Sequence, residues 1–256
     1  YSCGFPVLDA SIDSLRKTDV FIIGGYSGIK KTFMATQITA NLIQKDKKIL
    51  FFSLEMSRAS LYERILCHIL KLPTRELKSY LNTNSEEVIQ TIDTINKYLI
   101  VIDTPYLSLI EIANITKKLK LSQGFSPDYI IVDYFGYLRQ TTTFEEASQT
   151  AKYMKVMAKD LNIVLIMLSQ LNRTGDSWER PSIKMLKGCG DLECSADLVW
   201  LLYSDKVGDG DTMSEKFKKI NQTKLYIGKA RRGCTKTDYS FRFDYLTTQI
   251  ELEENV

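Results

Sequence analysis

The chain has a single histidine, His68, and its five cysteines include no Cys-x-x-Cys pair and no histidine at metal-ligand spacing. The cysteines therefore offer no metal-ligand pattern, and the thiols read as reduced and intracellular. His68 lies in LYERILCHILKL, with no acid or cysteine nucleophile at a suggestive spacing, and reads as a packed or half-exposed helix residue rather than a catalyst. No apolar run reaches the length of a membrane-spanning helix, and the N-terminus has no secretory apolar region, so no membrane role is expected. A net charge of +3 is too small to imply a nucleic-acid partner, so any basic patch has to be local. Internal repeats and low-complexity tracts are also lacking. With 256 residues and 44% hydrophobic content, there is enough apolar surface for one sizeable core, and residues 1–256 read as a single α/β domain. The first residue is Tyr rather than Met, which reads as a fragment or a processed chain.

The stretch that organises the rest is VFIIGGYSGIKKTFMA, Val20 to Ala35. A β-branched apolar run predicts a buried strand that stops at Gly24-Gly25, crosses a short loop and becomes a helix at about Lys31. Strand, glycine loop and helix make a phosphate cradle, because the glycines let backbone N–H groups turn inward and the helix N-terminus adds its positive end. Gly25-Tyr26-Ser27-Gly28-Ile29-Lys30-Lys31-Thr32 fits the P-loop pattern G-x-x-x-x-G-K-[ST] at every fixed position but one. In this register Lys31 reaches the β/γ-phosphates and Thr32 holds Mg²⁺. Lys30 stands where the pattern has glycine. Its charge opposes the helix dipole unless an anion is bound, so its ammonium is expected to fold back onto the phosphates; the alternative is that its Cβ turns the loop N–H groups away from them and weakens binding.

Along the chain, Tyr1 to Asp19 reads as a lead-in wrapping the domain edge. Buried strands are predicted at Lys48–Ser53, Leu99–Asp103, Tyr129–Asp133, Ile163–Leu168 and Leu198–Tyr203. Helices are predicted at Ala59–Leu70, from Pro73-Thr74, and at Ser85–Tyr98, Leu109–Leu121 and Phe144–Leu161. This alternation implies a mostly parallel sheet with helices on both faces. Gln170 to Asp191 reads as a long polar loop with a short helix near Ile183–Leu186, and Asp205 to Gln222 as a charged loop. Lys224–Ala230, Tyr239–Phe243 and Gln249–Leu252 read as C-terminal antiparallel strands.

Further chemistry gathers at strand ends. Asp133 closes an apolar strand, as an aspartate must to help hold Mg²⁺ beside the β-phosphate. Glu55 follows the strand after the P-loop helix. Carboxyl ends of neighbouring parallel strands share one crevice, so Glu55 is placed to orient or deprotonate an attacking water. Gln170 ends the next strand at the same rim, within reach of a γ-phosphate.

FFSLEMS (Phe51 to Ser57), IIVDYFGYLR (Ile130 to Arg139), LSQLNR (Leu168 to Arg173) and IGKARRG (Ile227 to Gly233) together resemble the motor domain of DnaB-type replicative DNA helicases. CGFPVLD at the start and the segment from Arg180 to Tyr203 match that family in place and order. The resemblance covers nearly the whole chain. It implies a RecA-like P-loop NTPase fold and a ring-forming, hexameric motor that translocates 5′→3′ on single-stranded DNA and unwinds duplex with ATP and Mg²⁺. It gives Glu55 the catalytic water, Asp133 the Mg²⁺, and Gln170 the sensing of nucleotide state. Lys229 and Arg231 become a basic pair reaching into the next subunit's nucleotide, and the loops after Asp133 and Gln170 line a DNA channel. Arg173, Arg180, Lys184 and Lys187 are the candidate phosphate contacts there. Primase or a helicase loader, a homo-oligomer and a cytoplasmic setting in a bacterial or phage-infected cell follow from the same resemblance. The family's N-terminal helical domain is absent from these residues. Departures are Lys30 and the stretch KGCGD, Lys187 to Asp191, with Gly188 and Cys189 where an acid and a serine are usual. Lys30 keeps open a nucleotide-binding ring subunit with impaired hydrolysis, and a recombinase- or KaiC-like ATPase of the same fold is a second alternative.

Overall fold

The computed structural model describes residues 1–83, 85–172, 180–186, 190–205, 212, 213, 215, 222–235, 237–244 and 249–253. In chain order the elements are α1 (Pro6–Ser11), β1 (Val20–Gly25), α2 (Lys31–Ile43), β2 (Ile49–Ser53), α3 (Arg58–Leu70), α4 (Thr74–Thr83) and α5 (Ser85–Tyr98). Then follow β3 (Leu99–Ile102), α6 (Leu109–Gln123), β4 (Tyr129–Asp133), α7 (Phe144–Leu161), β5 (Val164–Gln170), α8 (Gly190–Ser195) and β6 (Leu198–Tyr203). The chain closes with β7 (Gln222–Ala230), β8 (Asp238–Asp244) and β9 (Gln249–Glu253).

Among the described residues these strands form one sheet in the order β3-β2-β4-β5-β1-β6-β7-β8-β9. All pairings from β3 to β6 are parallel, and β6 to β9 are antiparallel. Every residue of β1, β2, β4 and β6 is buried, as strands covered on both faces must be. Alternation along β1 divides the core. Phe21 and Ile23 pack with α2 and α3, while Val20 and Ile22 pack on the opposite face with α6 and α7. Local chemistry sets the helix ends. Ser108 with Glu111, and Thr143 with Glu146, form capping boxes that start α6 and α7, and Gly124 (φ 64°) ends α6 in the left-handed region. Among the described residues, no helix is long and apolar enough to cross a membrane.

Two expectations need correction. The lead-in does not wrap an edge: it contains α1, which Pro6 starts, and it covers one face of the sheet. Leu8 and Cys3 are fully buried, Phe5 meets Trp200 and Phe241, and the Tyr129 hydroxyl donates to the Ser2 carbonyl at 2.8 Å. The Gln170–Asp191 stretch contains the short 3₁₀ turn near Ile183, but Gly190 starts a further helix, α8, missed because a single buried residue, Leu192, leaves no periodicity to read. Most of the Asp205–Gln222 loop lies outside the described residues.

Candidate nucleotide site

The parallel strands β1, β2, β4 and β5 end at one rim, where an open cleft of about 770 Å³ lies. Ser27, Gly28, Lys30, Lys31 and Thr32 line it from the loop between β1 and α2. Glu55, Asp133 and Gln170 line it from the ends of β2, β4 and β5. Register explains the convergence: Ser53 pairs with Asp133, and Gly25 pairs with Gln170. Gly25 and Tyr26 do a different job, since their carbonyls accept from the Lys31 ammonium at 2.8 Å each. Ile29 closes the loop from within through its amide, which donates to the Tyr26 carbonyl at 3.3 Å.

No side chain caps α2, so its first-turn N–H groups are left for a ligand. The Thr32 hydroxyl donates to Asp133 Oδ2 at 2.7 Å, joining the first turn of α2 to the end of β4. Asp133 is 2% exposed, and burial pushes its carboxyl up to about 6, with the Thr32 hydrogen bond opposing. Burial likewise pulls the Lys31 ammonium down to about 8, against the attraction of Asp133 and Glu55. A desolvated ammonium beside a desolvated carboxyl, each at a cost in its charged form, fits a ligand that brings a phosphate to the first and a cation to the second.

Lys30 is the N-cap of α2 with φ 67° and ψ 30°, the left-handed geometry for which the P-loop pattern reserves glycine. Its ammonium lies 4.4 Å from the centre of the Phe243 ring on β8, and burial pulls it down to about 8. Phe243 in turn meets Phe33 at 5.2 Å, and Phe33 meets His68 at 4.8 Å.

Arg64, His68, Tyr134 and Tyr137, with Phe33, Met56 and Thr74, line the cleft without having been placed there by the sequence reading. Arg64 and His68 sit four apart on α3, hence on one helix face, a spacing that could have flagged the pair. His68 is buried, with Nε2 2.9 Å from the Thr36 hydroxyl. Tyr134 and Tyr137 stack edge to face at 4.6 Å just after Asp133.

Lys229 and Arg231 lie far from this cleft. Ala230 pairs with Leu198, which pairs with Phe21 on β1. That level is about four residues, or about 13 Å, below Gly25, and about two strand spacings, or about 10 Å, to the side. Lys229 donates to the Glu193 carbonyl at 2.6 Å, and Arg231, just past the end of β7 rather than on it, meets Asp197 at 3.1 Å. Within one chain the pair thus stands away from the cleft. Of the four candidate DNA contacts, Arg173 and Lys187 lie outside the described residues. Lys184 is exposed, whereas Arg180 is committed within the chain, pairing with Asp238 at 3.1 Å and stacking 3.8 Å over Tyr226.

Residues 1–251 match the family described as the DnaB-like helicase C terminal domain. A probable replicative DNA helicase of Trieres chinensis is 31% identical over 96% of this chain and 57% of its own length. The replicative DNA helicase DnaC of Bacillus subtilis is 27% identical over 90% of this chain and 52% of its own. The chain thus spans little more than half of these relatives. Among solved structures, one described as an ATPase domain superposes with a TM-score of 0.81 at 24% identity, covering 98% of this chain and 90% of that one. A DnaB-like replicative helicase described with its interactions with primase gives 0.79 at 24% identity, over 97% of this chain and 60% of that one. At that identity the two structures speak for the fold.

Proposed function

The chain belongs to the DnaB-like helicase C terminal domain family, and from that membership we propose that it is the ATP-driven motor of a ring-forming replicative DNA helicase. One observation carries the chemistry: the 2.7 Å hydrogen bond from Thr32 to the buried Asp133, inside the cleft that Lys31, Glu55 and Gln170 also line. Lys31 would set its ammonium against the β- and γ-phosphates of ATP, and the loop and first-turn N–H groups would hold their oxygens. Thr32 and Asp133 would hold Mg²⁺, which supplies charge neutralisation on the phosphates. Glu55, exposed at the mouth of the cleft, would orient or deprotonate the attacking water, and Gln170 would register the γ-phosphate.

Lys229 and Arg231 would act on the triphosphate of a neighbouring copy, which their position below the sheet favours over action on their own. A homo-oligomeric ring, hexameric by resemblance, then becomes a requirement for turnover. Lys184, with Arg173 and Lys187, would contact the single-stranded DNA backbone, and Arg180 would do so only on leaving Asp238. Primase or a loader, and a cytoplasmic setting, come with this reading.

The test is ATP turnover with and without single-stranded DNA, together with strand displacement on a forked duplex. Stimulation by DNA and displacement from the 5′ side are expected. ATP binding with no turnover would favour the nucleotide-binding ring subunit, and turnover without displacement the recombinase-like ATPase. A mixture of Arg231→Ala and Lys31→Ala subunits should regain turnover that neither has alone. Failure of mixed assemblies to regain any would place the basic pair's action within its own subunit.

A further inference from the structure

At the end of the sheet opposite the cleft lies an ionic cluster that nucleotide binding does not use. Asp19, just before β1, and Asp197, just before β6, are each only 3% exposed. Lys155 of α7 reaches between them: it pairs with Asp197 Oδ2, donates to the Thr18 carbonyl at 2.7 Å and lies 4.0 Å from Asp19 Oδ1. Arg232 pairs with Asp19. Arg231 brings its Nη1 to 3.1 Å from Asp197 Oδ1, and its backbone N–H donates to the Asp197 carbonyl at 2.8 Å.

The two oxygens of Asp197 are treated differently. Oδ2 accepts from the Val20 amide at 2.9 Å as well as from Lys155, which fixes the carboxylate to the start of β1 and to α7. Oδ1 accepts no hydrogen bond among the described residues, so the Arg231 guanidinium is the cation that offsets its charge. Exposure is equally lopsided: the Asp197 side chain is 2% exposed and that of Arg231 55%. A guanidinium carries several N–H donors in a rigid fork. Holding it by one edge against a fixed, buried anion leaves the other donors in solvent. It also removes in advance part of the rotamer freedom that a long cation loses on docking.

We propose that Asp197 is the positioning carboxylate of Arg231. Anchored by Lys155 and the Val20 amide, it holds the guanidinium at the surface in the pose that meets the triphosphate bound to a second copy of this chain. The proposal rests on the reading of Arg231 as acting between subunits, and the experiment separates the two.

DNA-stimulated ATP turnover is measured for assemblies of Asp197→Asn, Arg231→Ala, the double variant and Lys155→Met, with denaturant midpoints alongside. Asp197→Asn should lower kcat by on the order of 10²-fold, as expected of a catalytic group displaced by ~1 Å, with KM nearly unchanged. The double variant should be no slower than Arg231→Ala alone. Mixing Asp197→Asn with Lys31→Ala subunits should restore turnover, because the latter bring an intact Arg231–Asp197 pair to the intact cleft of the former. Lys155→Met removes one of the two anchors of Oδ2 and should lose stability and lower kcat less than Asp197→Asn does, since the Val20 amide and the contact on Oδ1 remain. If Asp197→Asn does not fold, Asp197→Glu keeps the charge facing Lys155 while pushing the guanidinium outward, and carries the same expectations. Additive losses in the double variant, or recovery on mixing for Arg231→Ala but not for the Asp197 variant, would overturn the positioning role. Full turnover by Arg231→Ala would instead overturn the reading of Arg231 itself, and the proposal with it.

Discussion

Replacing Lys30 by glycine and by alanine separates what its backbone costs from what its side chain contributes. At φ 67° a residue with a Cβ is strained by about 1–2 kcal/mol relative to glycine. The ammonium over Phe243 at 4.4 Å returns about 0.5–2 kcal/mol. Glycine relieves the strain and loses the contact, and it also costs about 0.5–1 kcal/mol in the freedom it adds to the unfolded chain. Alanine keeps the strain and loses the contact. The contact cancels in the comparison of the two variants, so Lys30→Gly should be more stable than Lys30→Ala by up to about 1.5 kcal/mol. That difference corresponds to up to about 6 °C in Tm for a chain of this size. Denaturant unfolding at matched m-values is the assay, with Phe243→Leu as the control that removes the ring alone. Alanine ahead of glycine would show that the left-handed geometry at position 30 is not what the loop requires. Nucleotide titration of the same variants addresses the phosphates. Because the Lys30 ammonium sits on Phe243, both variants should bind ATP within a few-fold of the parent. A large loss in both would mean that the side chain swings onto the phosphates when nucleotide arrives.

Three further outcomes are expected. Glu55→Gln should leave ATP affinity within a few-fold and slow turnover by about 10²–10⁴-fold in single-turnover assays; lost affinity with normal turnover would remove Glu55 from the water. For Asp133 the sign follows from a carboxyl held at about 6 in the fold against 3.8 ordinarily. The folded state keeps a proton that the unfolded chain releases, so this contribution is full below about pH 4 and lost as pH rises through about 6, up to about 3 kcal/mol. Asp133→Asn should flatten that part of the stability–pH curve measured without nucleotide, and an unchanged slope would refute the assignment. Gly24→Ala puts a Cβ 2.8 Å from Leu201 Cδ2 and 2.9 Å from Leu186 Cδ2. It should destabilise by about 1–3 kcal/mol by overpacking, seen as a lower denaturant midpoint, unless both leucines repack freely.

The strands, the phosphate loop and the family could be read from the sequence because their signals are local. An apolar run such as Phe21 to Ile23, ended by glycines, is a strand in almost any surrounding, and G-x-x-x-x-x-K-T imposes its own turn. Glu55, Asp133 and Gln170 could be assigned to one rim for a related reason. Parallel strands joined by helices all end on the same side, so position along the strand decides position in the fold. Tertiary structure alone decided where side chains with several possible partners go. For Lys30 the sequence offers phosphate as a partner, whereas Phe243, far along the chain, offers a ring face that no local pattern announces. Arg231 and Asp197 are likewise distant in sequence, and only the antiparallel return of β7 along β6 brings them together. That same return carries Lys229 and Arg231 to the far end of the sheet, because strand direction, which reverses at the β6–β7 pairing, decides which end of the sheet each residue reaches.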